Sequence, residues 1–297
     1  MNIADYLDRK RVEVDRLLDQ LCPTAATPPA TLHESMRYSL MAGGKRIRPI
    51  LAIAAAEAVA PAPPPGLMAV ACSLELIHTY SLIHDDLPAM DNDDFRRGKP
   101  TNHKVYGEAM AILAGDALLT MAFDVVSRPD LMKGCDPARQ VRIIQELAYG
   151  SGHMGMVGGQ VFDIEAENKD IELPMLQNIH KHKTGMLIRA GVRMGAIAAG
   201  ATDRQLDDIT AYAEDVGLAF QIADDVLNVT GTREELGKNP NTDAERGKKT
   251  YPTFHGIDGA KRLADDCVDR ALVRLSSFGP SADPLRDIAR YITARKS

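Results

Sequence analysis

Five aspartates fall within ten residues in the first half of the chain, and two arginines follow them closely. Such closely spaced carboxylates repel one another, and hard divalent cations such as Mg²⁺ take carboxylate oxygens as ligands. Apolar residues at helical spacing precede Asp85, and Pro88 opposes continuation of the helix. We therefore expect Asp85 and Asp86 at a helix C-terminus, where the helix dipole disfavours acidic side chains, and a bend that brings Asp91 towards Asp85 around a cation. The cluster comprises Asp85, Asp86, Asp91, Asp93 and Asp94, followed by Arg96 and Arg97.

A second acidic motif, AFQIADDVLN, lies in the second half of the chain. On a helix, Asp224 and Asn228 share one face, whereas Asp225 is turned about 100° away, and Gln221 lies one turn before Asp224. Taken alone, either acidic motif is equally typical of a solvated helix surface. However, both motifs end an apolar helix with paired aspartates, and two such helices facing across a bundle would place carboxylates opposite one another, as in metal sites of helical bundles.

Small clusters of basic residues accompany the acidic motifs. Alone, each is typical of a solvated turn, but beside two carboxylate motifs they are suited to phosphate, because Arg offers a planar fork and Lys a point charge. No GxxxxGK[ST] loop occurs, so transfer of a nucleotide γ-phosphate is not expected. The clusters are Lys45, Arg46 and Arg48; Arg96 and Arg97; Lys181 and Lys183; Lys238; and Lys248 and Lys249.

Carboxylates, Mg²⁺ and these cations together suit a reaction in which a diphosphate is the leaving group. Departure of the diphosphate would leave a carbocation, which needs a dry apolar pocket so that water does not quench it. Oriented dipoles such as the Thr184 hydroxyl and the Gln221 amide would stabilise the positive charge. The residues therefore predict ionisation of a diphosphate ester inside a helical cavity.

Composition excludes several other classes of protein. The chain has 297 residues, is 45% hydrophobic and 26% charged, and carries a net charge of −6, which argues against broad binding to nucleic acids. The cysteines are far apart and form no CxxC pair, so neither a disulfide framework nor a zinc site is expected. The N-terminus lacks the pattern of a signal peptide, and the apolar run from Ile50 to Ala60 is too short to span a bilayer. We expect a cytoplasmic protein without a membrane span.

The elements that position these residues are all predicted to be helices. No segment alternates with period two, Trp is absent and aromatic residues make up 5% of the chain, so the fold class is predicted as an all-α bundle. Polar loops are expected over 96–103 and 231–250. The predicted helices cover 3–21, a segment from 30 to the Gly43-Gly44 pair, the segment from GGKRIRP to 60, the apolar run up to 87, 109–126, 137–168 with a loosened region at 150–159, 173–200, 203–229, 254–277 and 282–295.

Eight motifs together resemble the all-trans short-chain prenyl diphosphate synthases. They are GGKRIRP, IHTYSLIHDDLPAMDNDDFRRG, KPTNH, GGQVFD, KTG, FQIADDVLN, LGK and GKKTYP, and they occur in the order of that family over nearly the whole chain. The resemblance implies an isoprenoid-synthase-like helical bundle around a central apolar cavity, a single polyprenyl synthase domain over 1–297, and a homodimer. It also implies a transferase of isoprenoid biosynthesis, which joins isopentenyl diphosphate to an allylic diphosphate (dimethylallyl or geranyl) by ionisation, condensation and elimination.

The resemblance assigns roles to particular residues. It implies that Asp85 and Asp91 ligate two magnesium ions and Asp224 a third, with Asp86 and Asp225 as supporting carboxylates. Catalysis would rest on these three metal ligands and on three further groups, Lys183, Thr184 and Gln221. The allylic diphosphate would be held by Arg96, Lys183, Lys238 and Lys248. Isopentenyl diphosphate would be held by Lys45, Arg48, His78 and Arg97.

One residue departs from the pattern of the family. The second motif usually ends in Asp, whereas this chain has Asn228, which keeps a hydrogen-bond acceptor but removes one negative charge. We expect weaker binding of the third magnesium ion and retained activity.

Tyr80 and Ser81 are the expected determinants of product length. Tyr80 lies five residues before Asp85, about 7.5 Å along a helix axis. The resemblance associates an aromatic residue there with farnesyl diphosphate, while the surrounding sequence is also similar to geranylgeranyl diphosphate synthases. The expected product is therefore farnesyl diphosphate, with geranylgeranyl diphosphate as the alternative. A terpene cyclase and a non-catalytic synthase subunit are further alternatives, although a cyclase needs no isopentenyl site and a non-catalytic subunit would have lost an aspartate motif.

Overall fold

The structure is a computed structural model that describes residues 2–231 and 247–294. It is 74% helical, which confirms the predicted all-α fold class. The α-helices are α1 (Ile3–Leu21), α2 (Ala30–Leu40), α3 (Ile47–Val59), α4 (Leu67–Asp85), α5 (Asn102–Tyr106), α6 (Glu108–Ser127), α7 (Pro137–Ser151), α8 (Met156–Ala166), α9 (Leu173–His180), α10 (Met186–Ala198), α11 (Asp203–Thr230), α12 (Tyr251–Arg274) and α13 (Asp283–Ala294). A π-helical turn, Lys181–Gly185, joins α9 to α10, and a 3₁₀ turn, Pro280–Ala282, precedes α13.

Helix α4, which carries the first acidic motif at its C-terminus, forms the centre of the bundle. Almost all of its residues from Leu67 to Tyr80 are buried, and it packs against α3, α6 and α10. Helices α3 and α10 approach one another closely, because a Cβ at Gly195 would lie 1.9 Å from the carbonyl oxygen of Ala52. This layer of tightly packed helices fixes α4 and therefore the position of the aspartates at its end.

Three predicted segments differ from the structure. The helix predicted over 173–200 is interrupted by the π-helical turn Lys181–Gly185. The predicted helix over 137–168 is divided into α7 and α8, since the intervening glycines break the helix; a Cβ at Gly155 would lie 2.3 Å from the carbonyl oxygen of Gly150. The predicted loop over 96–103 overlaps a two-stranded hairpin, β1 (Phe95–Arg96) and β2 (Lys99–Pro100), and the first residues of α5. Arg97 and Gly98 form its turn with φ of 53° and 75°. Both positive values suit the type I′ turn of a tight hairpin.

Helices α4 and α6 are long and apolar enough to cross a membrane by length and composition alone. The sequence had suggested no such segment. In the most apolar window, 72% of the residues of α4 and 39% of those of α6 are buried inside the structure. Core helices of globular proteins pass the same test, so these two helices are weak evidence for insertion.

Candidate active site

The first acidic motif folds back on itself directly after α4. Asp85 is the last residue of α4 and Asp86 its C-cap, as predicted. After Pro88 the chain turns, and the backbone N–H of Asp91 donates to the carbonyl oxygen of Asp85 at 2.8 Å. Burial raises the pKa of Asp85 to about 6; the Lys183 ammonium opposes this shift, and the charge of Asp91 adds to it. The predicted return of Asp91 to Asp85 is therefore confirmed, and the two carboxylates repel one another.

The Asp86 carboxylate binds the guanidinium of Arg96. Both carboxylate oxygens of Asp86 accept from Nε of Arg96, at 2.8 and 2.9 Å, and Oδ1 also accepts from Nη2 at 2.6 Å. The Asp86 side chain is only 4% exposed. The hairpin that follows the acidic motif positions Arg96 for this contact, because Arg96 lies in β1. Asp86 thus holds an arginine at the edge of the acidic cluster.

Asp163 joins two lysines and was assigned no role from the sequence. Its Oδ2 accepts from Nζ of Lys183 at 2.6 Å and from Nζ of Lys248 at 2.9 Å. Nζ of Lys248 also lies 3.7 Å from Oδ1 of Asp91. Although burial acts in the opposite direction, the two ammonium groups lower the pKa of Asp163. The motif GGQVFD, which ends in Asp163, was the sequence signal for this residue.

Gly159 allows α8 to approach the π-helical turn. A Cβ at this position would lie 2.0 Å from the backbone nitrogen of Lys183, so only glycine fits without a backbone shift. Asp163 lies one turn further along α8, and Lys183 lies in the π-helical turn itself. π-Helical turns occur often at functional sites. The close contact between these two segments therefore sets the ion pair between Asp163 and Lys183.

We predict that Gly159→Ala destabilises the protein by about 2 kcal/mol or more, because the new methyl group overlaps backbone atoms that cannot rotate away. Chemical denaturation measures this change. Gly185→Ala is the matched control, since a Cβ at Gly185 would meet its nearest neighbour at an ordinary 3.6 Å. Equal stability of the two variants would contradict the proposed packing.

The second acidic motif is divided between two environments. Oδ2 of Asp225 accepts from the backbone N–H of Tyr251 at 2.9 Å, at the first residue of α12, and Oδ1 lies 3.9 Å from Nε2 of His180. Asp224 instead interacts electrostatically with Arg48. Burial lowers the pKa of Arg48, and the carboxylates of Glu75 and Asp224 oppose that shift. Asn228 is buried. The predicted division between Asp224 and Asp225 thus agrees with their different neighbours.

A cationic cluster of Arg48, His78 and Arg97 lies beside α4. Nη1 of Arg97 donates to the carbonyl oxygen of Gly43, and a Cβ at Gly44 would lie 2.8 Å from Nη2 of Arg97. Nε of Arg48 is buried without a hydrogen-bond partner among the described residues. Burial, and then the charges of Arg48 and Arg97, hold the pKa of His78 well below its ordinary value. Such a cationic cluster, with a buried guanidinium N–H that has no acceptor among the described residues and a neutral imidazole, suits an anionic ligand.

We predict that His78 makes the free energy of unfolding fall as the pH drops below about 6.5. The folded imidazole stays neutral well below this pH, whereas the unfolded one binds a proton with its ordinary pKa. Between about pH 7.5 and 5.5 this difference should cost about 1.4 kcal/mol. Chemical denaturation at both pH values should give a smaller loss for His78→Gln than for the wild type, and an unchanged loss for His153→Gln at an exposed position. An equal loss in all three proteins would contradict the prediction.

Two cavities meet at Lys183 and Thr184. The first, of about 180 Å³, is mainly polar and is lined by charged groups together with Gln221. The second, of about 340 Å³, is mainly apolar and is lined by Tyr80 and Ser81 along α4. The ring of Tyr80 lies edge-on to His84, with centroids 5.8 Å apart. The site therefore joins a charged compartment to an apolar one, as the predicted diphosphate chemistry requires. The predicted site residues that line the polar cavity are Asp91, Arg96, Lys183, Thr184, Gln221, Asp225 and Lys248.

The structure does not bring every predicted residue into these two cavities. Asp224 and Arg97 line neither of them, and Lys45 is exposed. Lys238 lies outside the described residues. Within residues 2–231 and 247–294, no group of three or more His, Cys, Asp or Glu is assembled as a metal site. The Asp85 and Asp91 pair is nevertheless suited to a hard divalent cation, because burial raises the pKa of Asp85, the charge of Asp91 adds to that shift, and a cation would favour both ionised carboxylates.

Comparison with known proteins agrees with this geometry. Residues 29–274 match the model of the polyprenyl synthetase family. The farnesyl diphosphate synthase of Geobacillus stearothermophilus is 43% identical over 295 residues, covering 99% of this chain and 98% of that protein. The geranylgeranyl diphosphate synthase of Cyanophora paradoxa is 44% identical over 297 residues, covering 100% and 97%.

A solved structure supports the same conclusion. The apo crystal structure of an FPP/GFPP synthase from Zymomonas mobilis matches with a TM-score of 0.86 at 39% identity, covering 98% of this chain and 99% of that one. The family match and the full-length relatives agree with the diphosphate chemistry that the two cavities suit. The chain therefore belongs to the polyprenyl synthetase family and is a prenyltransferase.

Proposed function

We propose that this prenyltransferase makes farnesyl diphosphate by condensing isopentenyl diphosphate with dimethylallyl and then geranyl diphosphate. The single observation that carries the product assignment is the apolar cavity of about 340 Å³, which begins at Lys183 and Thr184 and is lined by Tyr80. The side chain of Tyr80 is almost fully buried, so a chain growing along α4 would meet its ring. The 43% identical relative from Geobacillus stearothermophilus is named a farnesyl diphosphate synthase, which supports the same product.

The diphosphate of the allylic substrate is proposed to bind in the polar cavity. Arg96, Lys183 and Lys248 line this cavity, and Lys238 is proposed from the resemblance alone. Lys183 and Lys248 share Asp163, so both ammonium groups are held close together before substrate binds. This arrangement supports a binding site for two neighbouring phosphates, because preorganised cations need little rearrangement.

Isopentenyl diphosphate is proposed to bind at the cationic cluster. Arg48 and His78 line the apolar cavity, so this cluster adjoins the place where the growing chain would lie. Arg97 is held over Gly44. Lys45 lies three residues before Arg48 and is exposed; its ammonium would add a further positive charge to the proposed site. Within the described part of the chain Nε of Arg48 has no acceptor, which supports the assignment, because a buried guanidinium N–H needs one.

The family is known to use divalent metal ions. Asp85, Asp91 and Asp224 are proposed to hold three magnesium ions, with Asp86 and Asp225 as supporting carboxylates. The repulsion between Asp85 and Asp91 supports this assignment for the first motif. When bound, magnesium supplies charge neutralisation for the departing diphosphate. Asn228 is expected to weaken the binding of the third ion.

The steps of ionisation, condensation and proton loss are assigned to particular groups. Arg96, Lys183 and Lys248 stabilise the negative charge that develops as the bond between the allylic carbon and the diphosphate breaks. The Thr184 hydroxyl and the Gln221 amide stabilise the allylic cation, while the apolar cavity excludes water. The isopentenyl double bond then attacks the cation, and loss of a proton gives the longer allylic diphosphate. The departing diphosphate is the proposed acceptor of that proton.

Geranylgeranyl diphosphate is the second candidate product, since a relative of 44% identity is named a geranylgeranyl diphosphate synthase. Product analysis with isopentenyl and dimethylallyl diphosphates and magnesium distinguishes the two. A fifteen-carbon product supports the proposal, and a twenty-carbon product would show that Tyr80 does not limit growth.

We predict that Tyr80→Ala shifts the main product from fifteen to twenty or more carbons, because removal of the ring extends the cavity along α4. Chromatography of the products measures the shift. Tyr106→Ala is the matched control, since Tyr106 lies in α5 and lines neither cavity. Unchanged product length in Tyr80→Ala would show that the ring is not the floor of the cavity.

A second copy of this chain is the proposed partner. Residues 1–297 are proposed to form a single domain, and the cytoplasm is the proposed compartment. Helix α6 exposes Ile112 and Leu113, and α8 exposes Val157, Val161 and Ile164 at helical spacing, although these three residues also line the apolar cavity. Exposed apolar patches are typical of interfaces. The free cysteines agree with a reducing compartment. Analytical ultracentrifugation tests the dimer, and a monomer at micromolar concentration would contradict it.

A further inference from the structure

Arg46 has a conformation that the sequence motif GGKRIRP does not explain. It is the N-cap of α3 with φ of 52° and ψ of 35°, in the left-handed region that residues other than glycine rarely adopt. Its side chain is 1% exposed. A strained backbone and a buried guanidinium each cost free energy, so the surrounding contacts must stabilise both.

Three elements supply those contacts. Nε of Arg46 donates to Oδ1 of Asp15 in α1 at 2.8 Å, and Nη1 donates to Oε1 of Glu75 in α4 at 2.5 Å. Nη2 donates to the carbonyl oxygen of Leu40 at the end of α2, at 2.7 Å. Glu75 is itself buried, whereas the Asp15 side chain is 29% exposed. One side chain therefore fixes the segment between α2 and α3 against three helices.

This anchored segment also carries the proposed isopentenyl site. Lys45 precedes Arg46, and Arg48 follows it by two residues in the first turn of α3. The guanidinium of Arg46 points into the protein towards Asp15 and Glu75, while Lys45 is exposed and Arg48 lines the apolar cavity. A change at Arg46 would therefore move both substrate-facing cations together.

We propose that Asp15 and Arg46 are positioning residues for the homoallylic diphosphate site, so that the N-terminal helix α1 supports the affinity for isopentenyl diphosphate without touching it. This inference rests on the proposed function of Lys45 and Arg48. Asp15 acts through Arg46, which sets the backbone between α2 and α3. The allylic site is built from α8, the π-helical turn, the hairpin and the segment before α12, and it shares no residue with this anchor.

The test compares two aspartates of the same helix. Asp15→Ala removes the contact of Arg46 with α1 but leaves its contacts with Glu75 and Leu40, and Asp19→Ala removes an aspartate of α1 that pairs with Arg37 in α2. Each substitution removes one charge. Asp15→Ala also removes an ion pair with Arg11 within α1, where the Arg11 side chain is 40% exposed and such surface pairs contribute little to stability. We expect Asp15→Ala to raise KM for isopentenyl diphosphate by about tenfold, with kcat and KM for geranyl diphosphate within about twofold of wild type. Asp19→Ala should leave all three constants within about twofold. Asp15→Asn keeps an oxygen acceptor for Nε of Arg46 and should recover most of the affinity.

Several outcomes would overturn the inference. An unchanged KM for isopentenyl diphosphate in Asp15→Ala would do so, and so would a parallel rise of KM for both substrates, which indicates general loosening of the fold. If Asp15→Ala does not fold, the comparison is made between Asp15→Asn and Asp19→Asn, with a smaller rise expected only in the former. Calorimetric binding of isopentenyl diphosphate repeats the comparison without turnover. If the wild type binds isopentenyl diphosphate but catalyses no condensation, the proposed function is rejected. The ratio of Kd for isopentenyl diphosphate in Asp15→Ala to that in the wild type still tests the inference in that case.

Discussion

Asp85→Ala is expected to lower kcat/KM for condensation by about 10³-fold or more while leaving the melting temperature unchanged or higher. The loss of activity follows from the position of Asp85 beside Asp91, where its carboxylate is proposed to hold magnesium. The effect on stability has the opposite sign, because burial raises the pKa of Asp85 to about 6. At neutral pH the folded chain holds this charge unfavourably, so its removal costs no stability. Steady-state kinetics and thermal unfolding measure the two effects.

Asp94→Ala is the matched control for that substitution. Asp94 belongs to the same acidic cluster, but its side chain is 61% exposed and pairs with Lys104 at 2.7 Å. Its removal takes away the same charge and should leave kcat/KM within about threefold of the wild-type value. Wild-type activity and an unchanged magnesium requirement in Asp85→Ala would contradict the proposed site. An equal loss of kcat/KM in both variants would also contradict it, because activity would then depend on the total charge of the acidic cluster and not on the position of Asp85.

Lys183→Ala is expected to lower kcat by about 10²-fold or more. Lys183 lines both cavities and donates to Asp163, so its ammonium lies where the diphosphate and the growing chain would meet. Its removal takes away a charge that stabilises the departing diphosphate. Of the two lysines that donate to Asp163, the substitution leaves only Lys248. Single-turnover measurements with geranyl diphosphate separate the chemical step from binding.

Lys181→Ala controls for a general effect on the π-helical turn. Lys181 lies two residues before Lys183 in the same turn, but it lines neither of the two cavities of the site. This variant should retain kcat within about twofold of the wild type. Comparable losses in the two variants would mean that the turn, and not the ammonium of Lys183, limits the reaction. A normal kcat in Lys183→Ala would remove this residue from the proposed catalytic groups.

The local part of the site was predictable because it depends on residues close in the sequence. Pro88 forces a turn directly after Asp85, so the return of Asp91 follows from backbone stereochemistry. The division between Asp224 and Asp225 follows from the angle between successive helical residues. By contrast, the partner of Asp225 is the backbone N–H of Tyr251, which lies in a different helix. No local pattern specifies that contact.

The role of Asp163 shows why the remaining contacts could not be predicted. Its ion pair with Lys183 depends on how closely α8 approaches the π-helical turn, and this distance is set by the missing side chain of Gly159. The sequence displays the glycine but not the segment that it faces. The same limit applies to Arg46, whose three partners lie in three separate helices.

The fold was predictable where helices are long and periodic. The division of the predicted helix over 137–168 was signalled by its glycines, but the number of turns lost there depends on packing against α10. The hairpin at Arg97 and Gly98 was missed because strands of two residues are too short for period-two alternation. That hairpin matters, since it places Arg96 against Asp86.

The most direct test of the account is magnesium-dependent release of pyrophosphate from geranyl diphosphate by the purified protein, with and without isopentenyl diphosphate. We predict release that requires both substrates and magnesium, with one isopentenyl unit incorporated for each pyrophosphate. Release from geranyl diphosphate alone, with a cyclic or hydrolysed product, would indicate a cyclase. No release from the folded protein with both substrates present would indicate a non-catalytic subunit and contradict the proposed condensation.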